Sequence, residues 1–319
     1  MQPTNLHCLI TGGAGFIGSH LAEGLLAAGH RVRVLDNFST GKPDNLSAII
    51  NNVDLIEGDI RNYQTVRQAA KRIDVIFHQA AMASVFESMQ NPARNHDINV
   101  NGTLYVLEAA RQAGVSRLIF ASSAAVYGPA PDTPIAEETP VRPVSPYGLG
   151  KHMGEQYCHL YAHLYGVQTV CFRYFNVYGP RQNPNSAYSG VISIFTDTIL
   201  SGSNPVVYGD GRQSRDFVHV SDIVAANLSG MMYEGERHRV FNVASGQHHS
   251  LLDVLDVLQR HTGKTFDIEY QPERRGDIRD SCADITRIRK ELNFKPRMSF
   301  ENGLVHYANV IAASHASVR

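Results

Sequence analysis

Tyr147 and Lys151 stand four residues apart in a segment with helical spacing, so both side chains project from one face. A tyrosine of ordinary pKa, about 10, is a poor base at neutral pH. A neighbouring ammonium favours the phenolate, and bringing that pKa to about 7 takes roughly 4 kcal/mol of differential stabilisation, which a partly dry site can supply. Upstream, Ser122 and Ser123 close an apolar run, where a serine hydroxyl can hold a substrate oxygen and relay its proton. A Tyr–Lys pair at this spacing is common on exposed helices and means little alone. Its weight comes from a second motif near the N-terminus.

Thr11-Gly12-Gly13-Ala14-Gly15-Phe16-Ile17-Gly18 lies between a first strand-like run and a first helical pattern. Glycines at 12, 15 and 18 let the backbone turn tightly and approach a pyrophosphate, while the following helix offers free N–H groups and its positive end. Asp36 ends the second strand-like run, about twenty residues on, where a carboxylate accepts from ribose hydroxyls and repels a 2′-phosphate. The combination predicts NAD rather than NADP, and the positive nicotinamide ring would join Lys151 in favouring a tyrosine phenolate. Gly58-Asp59-Ile60 follows the third run, where a side chain reaches the adenine edge. His78-Gln79-Ala80-Ala81 follows the fourth, where small residues let a cofactor lie against backbone.

The elements that must position these groups alternate. Strand-like runs at His7–Ile10, Arg31–Asp36, Val53–Glu57, Asp74–His78, Arg117–Phe120 and Thr169–Phe172 are separated by helical stretches, including Asn95–Ala113 and Tyr147–Tyr165. Such alternation predicts an α/β fold: a Rossmann-type doubly wound parallel sheet covered on both faces. After Asn176 the chain becomes loop-rich, which predicts a smaller, discontinuous C-terminal α/β substrate domain. The expected division is an NAD-binding domain over 1–175 with a returning segment near 216–246, and a mainly substrate-binding domain over 176–319. Asp216–Val220 looks like the strand that returns to the sheet.

The 319 residues are 43% hydrophobic, enough for a sizeable core, and the formal net charge of -1 gives no support to nucleic-acid binding. Cys8, Cys158, Cys171 and Cys282 are scattered without metal-ligand spacing, and adjacent His248 and His249 point apart on most backbones, so no metal is expected. The absence of a signal-like start or a long apolar run predicts a cytoplasmic protein with no membrane partner.

The glycine turn, Asp36, Asp59, Ser123 and the Tyr147–Lys151 pair together resemble the extended short-chain dehydrogenase/reductase superfamily, over essentially the whole chain. Arg173-Tyr174-Phe175-Asn176-Val177-Tyr178-Gly179, Ser214-Arg215-Asp216-Phe217-Val218-His219-Val220 and Arg274-Arg275-Gly276-Asp277 resemble its nucleotide-sugar branch. The resemblance implies a catalytic set of Ser123, Tyr147 and Lys151. It implies NAD contacts from Gly12, Gly15, Phe16, Ile17, Gly18, Asp36, Asn37, Asp59, Ile60, Gln79, Ala80, Ala81, Asn99 and Tyr174 besides Tyr147 and Lys151. For the substrate it implies Ser84, Ser123, Asn176, Tyr208, Arg215, Arg274, Asp277 and Ser281, with the two arginines on the phosphates, where a planar charged fork suits paired oxygens. It also implies a homodimer built on the helices near Asn95–Ala113 and Tyr147–Tyr165.

Ser122-Ser123-Ala124-Ala125-Val126-Tyr127-Gly128 narrows the reaction. Related sugar 4,6-dehydratases carry an acidic pair where Ala124 and Ala125 stand, and related decarboxylases usually carry glutamate where Ala125 stands; alanine performs neither acid nor base chemistry. What remains resembles the UDP-sugar 4-epimerases, as does His78–Val85. In that family a small residue at the position of Ser281 leaves room for a 2-acetamido group and a tyrosine restricts the site to plain hexoses. Arg181–Tyr188 resembles the loops of N-acetylhexosamine epimerases. The expectation is NAD-dependent epimerisation of UDP-GlcNAc/UDP-GalNAc as well as UDP-glucose/UDP-galactose. The alternatives are a UDP-uronic acid 4-epimerase, decarboxylase or dehydratase, and a non-catalytic NAD-sensing protein.

Overall fold

The computed structural model describes residues 5–130, 132–183, 190–273 and 279–317. Among them, strands β1 (His7–Thr11), β2 (Arg31–Asp36), β3 (Val53–Glu57), β4 (Val75–His78), β5 (Arg117–Ser123) and β6 (Gln168–Tyr174) enter one sheet. The chain then leaves it through β7 (Asn176–Tyr178), β8 (Val206–Tyr208), β9 (Ser214–Arg215) and β10 (Phe217–His219), and returns as β11 (His238–Val243). The seven sheet strands are all parallel, in the order β11-β6-β5-β4-β1-β2-β3. That order reverses direction between β1 and β4, and open sheets of this kind take ligands at the carboxyl ends of the strands beside such a reversal.

Alternation along each strand divides the apolar residues between two cores. Cys8, Ile10 and Ile119 point to one face, while Leu9, Leu118 and Phe120 point to the other. Helix α1 (Phe16–Ala27) buries Leu21 and Leu25 on the first face. Helix α2 (Tyr63–Ala69) lies on the second. Short α3 (Val85–Gln90) and α4 (Pro92–His96) lead through a π-helical segment, Asp97–Asn101, into α5 (Gly102–Ala113), which joins α6 (Pro146–Tyr165) on that second face. Beyond α7 (Val191–Leu200), helix α8 (Val220–Met231) returns to the first face beside α1. No helix of the described residues is long and apolar enough to cross a membrane.

The segment 216–220 differs from the sequence expectation. Phe217–His219 pairs with β7 in a separate two-stranded parallel ladder, and the strand that rejoins the sheet beside β6 is His238–Val243. The reason is local: His219 caps α8, its ring accepting from the Ser221 N–H, so the chain turns into helix after three extended residues. A third core gathers Ile192 and Phe195 of α7, Val207, Phe217, and residues of α9 (Leu251–Thr262) and, after α10 (Thr286–Leu292), of α11 (Phe300–Ser317). Short strands β12 (His249–Ser250), β13 (Glu269–Gln271) and β14 (Asp280–Ser281) edge this C-terminal part; β9 lies between antiparallel β12 and parallel β14.

Candidate active site

The turn after β1 is shaped by contacts that only glycine permits. Gly12 has a positive φ of 71°, and a Cβ there would lie 2.7 Å from the Ala80 nitrogen; a Cβ on Gly18 would lie 2.2 Å from the Gly12 carbonyl oxygen. Helix α1 starts at Phe16 after Gly15 with no side-chain cap and no acidic residue in its first turn. Its positive end therefore stays available to an anion. Asp36 is buried at the tip of β2, where its carboxylate accepts from the Ala14 N–H at 2.9 Å and the Phe38 N–H at 2.8 Å. Burial raises its pKa and those bonds oppose the rise. Each oxygen retains a further lone pair for a ribose hydroxyl. The glycine cradle, open helix end and carboxylate fit a dinucleotide.

Asp59 and Asn37 meet beside the tip of β2: the Asn37 amide donates to Asp59 at 2.8 Å, and Arg61 forks onto the same carboxylate at 2.7 and 3.0 Å. The Arg61 fork holds Asp59 down to about 2. Ile60 is buried, its side chain filling the space over Gly102. Ala80 and Ala81 are half-buried in the loop after β4, and Phe16 and Ile17 in the first turn of α1. Asn99 is buried at the start of the approach to α5. Both ends of its amide are committed to Met82, accepting from its N–H at 2.9 Å and donating to its carbonyl at 3.0 Å, so it fixes the loop after β4.

Beneath this turn lies a group not singled out in the sequence. Thr103 donates to the Asn99 carbonyl at 2.7 Å and so accepts from His78 Nε2 at 3.0 Å; His78 Nδ1 then accepts from Thr11 at 2.7 Å. Burial, with the Lys151 ammonium nearby, pushes His78 down to about 3 and keeps it neutral. One imidazole thus ties β1, β4 and α5 together under the glycine turn.

Helix α6 begins where Ser145 caps it, accepting from the Gly148 N–H at 3.1 Å with Pro146 in the first turn, and ends at left-handed Gly166. Tyr147 therefore sits in the first turn, at the carboxyl end of β5. Gly148 and Gly154 let the helix approach closely, since a Cβ at either would come within 2.5 Å of the Ala125 carbonyl or the Phe120 ring. Ser123 lies beside Tyr147, near enough to pull its pKa down, and accepts from the Ala125 N–H at 3.2 Å. Lys151 is buried, donates to the Ala121 carbonyl at 2.6 Å, and has its ammonium 5.9 Å from the Tyr147 ring centre. The three groups expected to act together converge.

Burial dominates their electrostatics. It raises Tyr147 above the ordinary tyrosine value, with Ser123 pulling the other way. Lys151, pushed down to about 8 by burial and partly held up by Cys158 and Glu155, directs its ammonium at a backbone carbonyl. The protein's own groups thus hold Tyr147 as a neutral phenol.

Gln79 donates to the Tyr174 hydroxyl at 3.3 Å, which also accepts from Asn227 of α8 at 2.8 Å. Asn227, which no sequence pattern marked, thereby anchors two candidate cofactor contacts. Asn176 donates to the Asp216 carbonyl at 3.2 Å. The Asp216 carboxylate is wholly buried and collects the Ser245, Gly246 and Ala283 N–H groups at 2.8, 3.0 and 3.1 Å. It joins the end of β11 to the segment after β14. Arg215 and Ser281 are register partners in the β9–β14 ladder, which brings the proposed phosphate arginine beside the proposed sugar-side serine. Ser84 caps α3, accepting from the Glu87 N–H at 3.0 Å, and Tyr208 is half-buried in β8. Arg274, Asp277 and most of the Arg181–Tyr188 loop lie outside the described residues.

Residues 8–244 match the NAD-dependent epimerase/dehydratase family, and the chain belongs to it. It is 38% identical over 309 residues to the UDP-glucose 4-epimerase of Mycolicibacterium smegmatis, covering 94% of this chain and 96% of that protein. It is 35% identical over 310 residues to a UDP-N-acetyl-α-D-glucosaminuronate decarboxylase of Bacillus cytotoxicus, covering 93% and 95%. Its fold superposes on the UDP-N-acetylglucosamine 4-epimerase of Methanobrevibacter ruminantium, solved with UDP-N-acetylmuramic acid, at a TM-score of 0.94 and 36% identity over 98% of this chain and all of that one.

Proposed function

We propose that the protein is an NAD-dependent UDP-sugar 4-epimerase accepting UDP-GlcNAc/UDP-GalNAc as well as UDP-glucose/UDP-galactose. The observation that carries this reading is the convergence of Ser123, Tyr147 and Lys151 at the end of β5 with alanine, not an acid, at 124 and 125. Tyr147 takes the proton from the sugar 4-hydroxyl while Ser123 holds that oxygen. Lys151, still an ammonium at neutral pH, stabilises the negative charge that develops on the phenol. When bound, NAD supplies the hydride acceptor for carbon 4 and returns the hydride to the opposite face, so no external reductant is consumed. Arg215, with Arg274, holds the pyrophosphate while the 4-keto sugar turns over.

Ser281, small and beside Arg215, supports room for an acetamido group. The relationship to a decarboxylase supports a second reading, which Ala125 opposes. Leu149, Leu160 and Leu164 form an exposed apolar stripe along α6, which fits a homodimer through α5 and α6. Incubation with a panel of UDP-sugars, with no cofactor added, tests the function. Epimeric products of unchanged mass are expected; loss of carbon dioxide or water indicates the other branches, and no turnover supports a NAD-sensing protein.

A further inference from the structure

Tyr147, Lys151 and Glu155 recur every four residues and form one stripe on α6 facing β5. Each meets a consecutive residue of that strand: Tyr147 meets Ser123, Lys151 the Ala121 carbonyl, and Glu155 the Ser122 hydroxyl, which donates to it at 2.6 Å. Glu155 is 2% exposed, so no ligand reaches it. Its carboxylate also receives the Arg173 fork of β6 at 2.8 and 2.7 Å. Arg173 is itself fixed, donating to the Glu137 carbonyl at 3.2 Å and lying 4.7 Å over the Tyr127 ring.

Deepening the epimerase reading and resting on it, we infer that Glu155 is a positioning residue that sets the register of α6 on the sheet and so aims Tyr147 at the reacting oxygen. One carboxylate on α6 grips two strands, and each grip is one step in sequence from a proposed functional group: Ser122 precedes Ser123, and Arg173 precedes Tyr174. Two single bonds also tie α6 to the sheet, Lys151 to the Ala121 carbonyl at 2.6 Å and Thr169 to the Cys158 carbonyl at 3.1 Å, whereas the Glu155 carboxylate binds both strands at once and one of them through a two-pronged fork. Apolar burial is non-directional, and α6 meets Phe120 through Gly154, which offers no side chain to lock against a groove. A buried ion pair gains little over apolar packing of the same volume, whereas a bidentate fork specifies both distance and orientation. Placement is what this arrangement adds.

Ser122→Ala removes one grip without altering charge, and Glu155→Gln removes the fork. Both are assayed in the full protein with its nucleotide, at a temperature where thermal denaturation shows the variants folded. Expected is a fall in kcat of about tenfold for Ser122→Ala and about a hundredfold for Glu155→Gln, as misplacement by about 1 Å produces. KM for the UDP-sugar should stay within about twofold, with nucleotide content unchanged. Should Glu155→Gln not fold, Ser122→Ala decides alone. A lowered melting temperature with wild-type kcat per folded molecule overturns the inference. Tyr147→Phe is run alongside: if it too keeps turnover, the epimerase reading has failed, whereas its inactivity beside fully active Ser122→Ala and Glu155→Gln refutes only the positioning role.

Discussion

Replacing Lys151 by methionine should stabilise the protein at neutral pH while removing its activity. The ammonium is 3% exposed, and burial lowers its pKa from the ordinary 10.5 to about 8. A depression of that size corresponds to about 3 kcal/mol against the folded state wherever both states are protonated, below pH 8. Methionine in turn forgoes the bond that the amine makes to the Ala121 carbonyl at 2.6 Å, a contact of about 1 kcal/mol or somewhat more. Lys151→Met should therefore gain roughly 1–2 kcal/mol at pH 7. Between pH 8 and 10.5 the unfolded chain holds a proton that the folded chain has released, so wild-type stability climbs with pH relative to the variant. By pH 9.5 the variant's advantage should have shrunk by about 2 kcal/mol and vanished. Urea denaturation of nucleotide-stripped wild type and variant at the two pH values measures this difference, in which the other titrating groups cancel. A stability gap that does not change with pH would show that Lys151 is not held as a desolvated cation, and the electrostatic account of the site would fall with it.

Tyr147→Phe should lower turnover by about 10²–10⁴-fold while the protein still purifies with its nucleotide, measured by product chromatography and by release of bound NAD; wild-type turnover would remove the tyrosine from the mechanism. Ser281→Tyr should reduce use of the acetylated UDP-sugar more than the plain one, and equal losses on both would displace Ser281 from the sugar pocket. Gly18→Ala forces a Cβ to 2.2 Å from the Gly12 carbonyl and must open the turn. Losing even one charge-assisted hydrogen bond to the pyrophosphate, at about 1.5–3 kcal/mol, should weaken NAD binding tenfold or more in a calorimetric titration.

The sheet was legible because its strands are short apolar runs bounded by polar or turn residues: β2 and β3 match the sequence reading residue for residue. Beyond Asn176 periodicity fails. Phe217–His219 and His238–Val243 are both short apolar runs, and nothing local says which rejoins β6; the His219 cap, a single side-chain contact, makes the difference. In the site, the groups proposed to touch ligands follow from motif and spacing. The groups that hold them do not, because His78, Asn227 and Asp216 act through partners 25 to 148 residues away in the chain.

The basicity of Tyr147 shows where such a reading stops. Spacing placed a cation beside the phenol, and that cation together with the nicotinamide ring implied a lowered pKa. In the fold, burial outweighs the pull of Ser123 and Tyr147 is raised, while Lys151 serves the Ala121 carbonyl. Four residues on a helix set a direction, not a distance between a charge and an oxygen, and in a low-dielectric site that distance decides the sign. Positive charge brought in with the nicotinamide ring would add to that of the Lys151 ammonium and favour the phenolate. A tyrosine whose basicity rises beside the oxidised cofactor removes a proton more readily once a hydride acceptor is in place. The titration of Tyr147 by ultraviolet difference absorbance should accordingly move to lower pH when NAD is restored to stripped protein, and a titration indifferent to NAD would overturn this coupling.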